Sequence, residues 1–230
     1  MDKKVNGLEL SETNNSPKKM NKKRLIGIIV GILIICFLGG IVGVKINNAN
    51  KIKKYHNDMT SVLHDMVNVG SDAETMTNVY SKIWNNSIEY NINQKWFTDV
   101  LGVTSYEFTS KVSCRNDLEL YKNYNVIKGN FNQALAYVSE YYKNNGNISK
   151  INSRVNAIQT KVKALNNPPK GYENAYESLL KTYGSLESMC SYATSPNGSL
   201  ISYNKDKKQV DDELLKNIKE LEVRIPDIEK

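Results

Sequence analysis

Residues 52–83 read IKKYHNDMTSVLHDMVNVGSDAETMTNVYSKI, and apolar positions recur in this stretch every three or four residues. They are Ile52, Tyr55, Met59, Val62, Met66, Val69, Ala73, Met76, Tyr80 and Ile83. A stripe with this period predicts a long α-helix that packs as helices do in a coiled coil. Gly70-Ser71-Asp72 predicts a bend or interruption within it, with Ser71 as a new N-cap and Glu74 three residues later.

The chain that follows shows the same helical period in four further segments, at residues 131–142, 148–165, 172–193 and 210–221. Turn-forming residues separate them: Asn144-Asn145-Gly146, Asn166-Asn167-Pro168-Pro169 and Ser195-Pro196-Asn197-Gly198. Residues 91–130 have no clear period and predict a connection that contains short helical pieces. Helices joined by short turns bury their apolar stripes most easily against one another. The predicted fold is therefore all-α, with an antiparallel coiled-coil-like bundle of four or five helices after one transmembrane helix.

The predicted transmembrane helix, Leu25 to Val44, reads LIGIIVGILIICFLGGIVGV and contains no charged residue. At the rise of an α-helix, about 1.5 Å per residue, it spans roughly the thickness of the hydrocarbon core of a bilayer. A secretory signal peptide is the competing interpretation. Its apolar region runs over about 7–15 residues and ends at a small-residue cleavage site. Here the apolar residues continue directly into Lys45, which favours an anchor that stays in the membrane.

Basic residues on the two sides of this segment predict its orientation. Four lysines lie within twenty residues after it, at positions 45, 51, 53 and 54. A more tightly packed group precedes it: Lys18, Lys19, Lys22, Lys23 and Arg24. Short basic flanks stay in the cytoplasm, and these cations also suit contact with anionic lipid. We therefore expect a cytoplasmic tail at residues 1–24, a transmembrane helix at 25–44 and an extracytoplasmic bundle at 45–230.

Glycines recur at four-residue spacing within the apolar segment. They are Gly27, Gly31, Gly39 and Gly43, with Ile35 in the intervening position. Two G-x-x-x-G units on one helix face let two helices approach closely and would suit a homodimer. Glycine is also common in transmembrane helices that do not pair, and this simpler interpretation is favoured.

The distribution of charge argues against a nucleic-acid-binding protein. The chain of 230 residues has a formal net charge of +7. Residues 1–24 carry seven Lys or Arg against three Asp or Glu, so more than half of this excess lies in the tail. Residues 45–230 carry 24 basic and 21 acidic groups. A groove of one sign, as nucleic acid requires, is therefore not predicted.

Residue types that serve catalysis and metal binding are scarce. The two histidines, His56 and His64, lie eight positions apart, too far to share a metal ion on neighbouring helical turns. We expect both to be solvated beside the apolar stripe. No phosphate-binding glycine loop, nucleophile elbow or H-E-x-x-H motif occurs, and Asp211-Asp212-Glu213 predicts the acidic first turn of the last helix. The sequence predicts no enzyme, no cofactor and no metal.

Cys114 and Cys190 are the two cysteines outside the apolar segment. In an exported domain they could form a disulfide, whose long loop would stabilise the fold by roughly 4 kcal/mol. The alternative is a buried Cys190 and an unpaired Cys114 at the surface.

Four segments carry a resemblance to known proteins: Ile83-Trp84-Asn85-Asn86-Ser87-Ile88, Phe131-Asn132-Gln133-Ala134-Leu135, Leu165-Asn166-Asn167-Pro168-Pro169 and Ser195-Pro196-Asn197-Gly198-Ser199-Leu200. They resemble a family of small, membrane-anchored helical proteins of low-GC Gram-positive bacteria and their mobile elements. The resemblance extends over roughly the last 150 residues and rests on apolar stripes and turns. It implies a bacterial envelope protein and brings no activity, cofactor or catalytic residue.

Together these features predict a single-pass envelope protein whose helical ectodomain binds a protein or a cell-wall component without catalysis. Exclusion of mobile elements and maintenance of the envelope would both fit this role. The alternative is a sensory or signalling ectodomain. It would need a separate membrane partner, because the 24-residue tail contains no output domain.

Overall fold

The computed structural model describes the backbone of residues 22–89, 92–113, 127 and 130–228. Side chains are described in these ranges except at residues 22–47, 88, 89, 131 and 200. Within these ranges the chain forms α-helices and no β-strand, so the predicted all-α class is confirmed. The helices are α1 (Lys22–Glu89), α2 (Gln94–Leu101), α3 (Ser105–Lys111), α4 (Phe131–Asn144), α5 (Asn147–Ala164), α6 (Glu173–Thr194) and α7 (Leu200–Arg224).

The chain divides into two compact units, Met1–Asn50 and Lys51–Lys230. The first is described from residue 22, where its backbone belongs to α1. Among the residues whose side chains are described, no helix is long and apolar enough to cross a membrane. The predicted transmembrane segment, residues 25–44, lies outside that set.

The second unit is a helical bundle whose core contains the predicted apolar stripe of α1. Ile52 is 38% exposed and Tyr55 is half-buried. The other eight stripe residues are all buried: Met59, Val62, Met66, Val69, Ala73, Met76, Tyr80 and Ile83. The longest predicted stripe therefore forms the central helix of the core.

Three contacts of α1 side chains establish that α1 and α5 run antiparallel. Tyr55 Oη donates a hydrogen bond to the carbonyl oxygen of Leu165 at 2.8 Å. Further along α1, Asp65 forms an ion pair with Lys161, with 2.6 Å between Oδ2 and Nζ. Asp72 pairs with Arg154. The partner numbers fall as the α1 numbers rise, as antiparallel packing requires.

Helices α6 and α7 are antiparallel neighbours as well. Thr182 Oγ1 donates to the carbonyl oxygen of Asn217 at 3.1 Å, and Asn217 Nδ2 donates to Ser185 Oγ at 2.7 Å. At the far end of the pair, the ring centroids of Tyr192 and Tyr203 lie 5.9 Å apart. The predicted antiparallel packing of consecutive helices is thus observed for this pair.

The irregular region contains two short helices that are packed into the core. Asn93 caps α2 by accepting a hydrogen bond from the backbone N–H of Trp96, and Thr104 caps α3 through the N–H of Glu107. Phe97 and Phe108 are fully buried and stack with their ring centroids 5.2 Å apart. The predicted short helical pieces are therefore present and extend the core of the five longer helices.

Candidate functional site

The outer surface between α1 and α7 contains an open groove of about 430 Å³. We call it the α1–α7 groove. Its lining consists of Val67, Gly70, Ser71, Glu74, Met189, Asp211, Asp212, Leu214, Leu215 and Ile218. The α1 residues are spaced by three and four positions, as are most of those on α7, so each helix contributes one face.

The floor of the groove depends on Gly70. A Cβ atom at this position would lie 3.0 Å from Leu214 Cδ2 and 3.8 Å from Leu186 Cδ1. Glycine therefore lets α7 approach α1 closely. The predicted interruption at Gly70-Ser71-Asp72 is wrong, because α1 is one helix from Lys22 to Glu89, and the predicted bend stays a prediction. The N-cap predicted at Ser71 is absent for the same reason.

One end of the groove presents apolar side chains to solvent. Val67 is 39% exposed and Leu215 is 51% exposed, and the half-buried Ile218 lies beside them in the lining. The side chains below them, Met189 and Leu214, are buried. The rim therefore offers apolar surface on an apolar floor, an arrangement that suits protein docking.

The other end is acidic and lies in the middle of α7. Asp211 forms an ion pair with Lys207 and Asp212 with Lys208, each at 2.6 Å between Oδ2 and Nζ. The expectation that Asp211-Asp212-Glu213 begins the last helix is wrong, because α7 begins at Leu200. A capping box between Ser199 and Ser202 starts the helix there, each hydroxyl accepting from the other residue's backbone N–H.

Glu74 is the third carboxylate at the acidic end, and it forms no ion pair with any residue that the structure describes. The Lys208–Asp212 pair is largely exposed, and exposed pairs stabilise a protein by at most about 1 kcal/mol. An incoming cation could therefore bind Glu74 and compete with Lys208 at little cost.

A second cavity, of about 280 Å³, lies between α1, α2, α4 and α5. Tyr141 Oη lines it but is already engaged, because it donates to Glu107 Oε1 at 2.8 Å and accepts from Asn145 Nδ2 at 3.2 Å. Burial and the Glu107 carboxylate raise the pKa of Tyr141 well above its usual value. The hydroxyl is therefore a structural group in this cavity.

The two histidines lie in different surroundings. His64 is exposed, whereas His56 is half-buried where the start of the bundle meets the end of α7. His56 Nδ1 lies 3.1 Å from the carbonyl oxygen of Pro226 and 3.2 Å from Tyr172 Oη. A carbonyl oxygen only accepts, so Nδ1 carries the proton in that contact. His56 thus anchors the segment after α7. No group of three potential metal ligands occurs among the described side chains.

The predicted disulfide involves one residue that the structure describes. Cys190 is a buried free thiol on α6, and burial raises its pKa to about 12. It therefore stays protonated and poorly reactive near neutral pH. Cys114 lies outside the described residues, and the Cys114–Cys190 pairing stays a prediction.

The predicted membrane-associated residues also lie outside the described side chains. Lys18 and Lys19 precede the described backbone. The others lie in the part of α1 whose side chains are not described: Lys22, Lys23, Arg24, Gly27, Gly31, Gly39 and Gly43. Their predicted roles in orientation, lipid contact and dimerisation stay predictions.

Comparisons with protein-family models, curated proteins and solved structures found no match to this chain. The resemblance to helical envelope proteins therefore stays an expectation drawn from the sequence. Two features of the chain bear on its function: the α1–α7 groove and the apolar segment at residues 25–44.

Proposed function

We propose that this chain is a single-pass membrane-anchored envelope protein whose extracytoplasmic helical domain binds a partner protein without catalysis. The observation that carries the proposal is the α1–α7 groove. Val67 and Leu215 expose apolar surface there beside the buried Met189 and Leu214. Water contact with such a surface is unfavourable, and a partner that covers it gains about 25 cal/mol per Å² of apolar area.

The anchor is proposed from the sequence. The twenty uncharged residues from Leu25 to Val44 match the length of a transmembrane helix. The clustered cations at residues 18–24 favour a cytoplasmic N-terminus, which puts the bundle on the opposite side of the membrane. A groove on that side would be accessible to other envelope proteins.

Protease treatment of intact, wall-stripped cells tests the proposed topology. With a tag placed after Lys230, we expect protease to remove the tag from intact cells, because the bundle is proposed to lie outside. A cytoplasmic protein of known location is the control and should survive until lysis. Survival of the tag until lysis would contradict the topology and place the bundle in the cytoplasm.

Site-specific photo-crosslinking tests the docking surface in the same cells. A photoreactive residue in place of Leu215 is expected to form a protein adduct, because it lies at the apolar end of the α1–α7 groove. Leu180 on α6 is the matched control, since it is 45% exposed and does not line the groove. Adducts at both positions, or at neither, would contradict docking in this groove.

A further inference from the structure

The chemistry of the groove identifies the kind of partner that it would bind. We propose that the occupant is an amphipathic α-helix of another protein, with apolar side chains at one end of its binding face and a lysine or arginine at the other. This proposal rests on the proposed function and adds the chemical class of the partner to it.

A helix is the occupant that fits the shape of the groove. Two antiparallel helices form its walls, and each wall presents side chains at helical spacing. Ridges formed by such rows accept the ridges of a third helix at about 8–10 Å between axes. The groove thus lies between two helices, apolar at one end and acidic at the other, and is open on its outer side.

The spacing of the groove residues determines the pattern on that helix. From the apolar end of the groove to its acidic end, α1 passes from Val67 to Glu74, seven residues later. In the same direction, the antiparallel α7 passes from Leu215 to Asp211. Seven helical residues span roughly 10 Å. A docked helix therefore needs apolar residues over Val67 and Leu215, which the test peptide places at i and i+4, and a long cation about two turns on, at i+7.

Charge selects a basic end for the docked helix. The acidic end holds three carboxylates, Glu74, Asp211 and Asp212, against the two ammonium groups of Lys207 and Lys208. Glu74 has no described ion-pair partner, so a cation docked there gains attraction, whereas an acidic side chain would meet like charge. Such repulsion also gives the groove discrimination between partners.

Synthetic peptides provide the direct test with the full-length chain in detergent micelles. The probe is a fluorescein-labelled amphipathic peptide of about 20 residues with leucine at i and i+4 and lysine at i+7. The comparison peptide differs only by glutamate at i+7. Fluorescence anisotropy should show that the lysine peptide binds about tenfold more tightly, the scale of one well-placed charge contact.

Variants of the chain locate the binding. Leu215→Ser should weaken binding of the lysine peptide about tenfold, as loss of an apolar anchor does, whereas Leu180→Ser should leave it unchanged. Glu74→Gln should reduce the preference for lysine over glutamate without abolishing binding of either peptide. The two leucines are comparably exposed, at 51% and 45%, so we expect the serine substitutions to change the stability of the fold to a similar extent.

Three results would overturn the proposal. Equal affinity for the lysine and glutamate peptides would contradict a basic end on the partner helix. An equal loss of peptide affinity in Leu215→Ser and Leu180→Ser would contradict binding in the groove. Concentration-dependent dimers that Leu215→Ser dissociates would make a second copy of this chain the occupant. The proposed function and this inference can fail separately. If position 215 crosslinks, position 180 does not, and both peptides bind equally, the proposed function still holds and this inference is wrong.

Discussion

Replacing Trp84 by alanine is expected to lower the free energy of unfolding of the bundle by about 3–5 kcal/mol. Trp84 is fully buried on α1, and its ring centroid lies 4.4 Å from that of the fully buried Tyr203 on α7. Truncation would therefore remove the largest core side chain and leave a cavity between these two helices. For a domain of this size, each kcal/mol shifts Tm by about 2–4 °C, so thermal unfolding followed by circular dichroism should show a fall of about 10 °C.

The second tryptophan gives the matched control. Trp96 on α2 is half-buried, so Trp96→Ala should cost clearly less than Trp84→Ala. Trp84→Phe should recover part of the loss, because it refills much of the cavity. Equal losses in the two alanine variants, or a Tm of Trp84→Ala within about 2 °C of the parent, would show that the α1–α7 contact does not hold the core together.

The bounds of three helices follow from a pattern that is visible in the sequence. Spacing by three and four residues identified the helices at 131–142, 148–165 and 172–193 to within two residues of their observed bounds. Such spacing is informative when a helix buries one continuous face against several neighbours. Helices α2 and α3 are too short to repeat such a pattern. Their bounds, their caps and the burial of Phe97 and Phe108 are therefore known from the structure only.

The role of Gly70 could not be predicted, because its cause lies elsewhere in the chain. Read locally, glycine weakens a helix by about 1 kcal/mol relative to alanine and favours a break. In the bundle, Leu214 occupies the space that a Cβ atom would need. A residue more than 140 positions away therefore explains the glycine, and no local sequence pattern indicates that contact.

The groove escaped prediction for two physical reasons. The helical period of residues 210–221 includes Leu214, which is buried at 6% exposed, but leaves out its neighbour Leu215, which is 51% exposed. Val67 lies outside the buried stripe of α1, so the periodic pattern passes over it. The start of α7 at Leu200 could not be predicted from an apolar stripe either. Among the described side chains of its first ten positions, Tyr203 is the only buried one.

Alkaline solution is expected to unfold the bundle steeply above pH 10, because tyrosine hydroxyls are buried in its core. Tyr80, Tyr142 and Tyr203 are at most 6% exposed. Burial raises the pKa of Tyr80 to about 12, partly offset by the hydrogen bond from Ser139 Oγ. Burial likewise raises the pKa values of Tyr142 and Tyr203, and negative charge on neighbouring tyrosines would raise them further.

The sign of the effect follows from comparing the two states. Below pH 10 both states keep these protons, so stability does not depend on them. Between pH 10 and 12 the unfolded chain loses each proton while the folded chain retains it, which costs about 1.4 kcal/mol per group and pH unit. These three groups alone give about 4 kcal/mol per pH unit, a large part of the typical 5–15 kcal/mol of a domain. The buried Tyr141 and Tyr172, whose pKa values burial also raises, add to this dependence.

Urea unfolding at a series of pH values between about 9 and 11.5 measures this slope, with tyrosinate absorbance recorded in parallel. Tyr80→Phe should reduce the slope by about 1.4 kcal/mol per pH unit, because one buried proton is gone. Tyr106→Phe is the control and should leave the slope unchanged, since the Tyr106 side chain is 83% exposed and no buried hydroxyl is lost. Tyrosinate absorbance that rises near pH 10 for all tyrosines, with helix content retained, would show that the core hydroxyls reach water. Cooperative loss of helix together with the rise of tyrosinate would instead place their ionisation in the unfolded state.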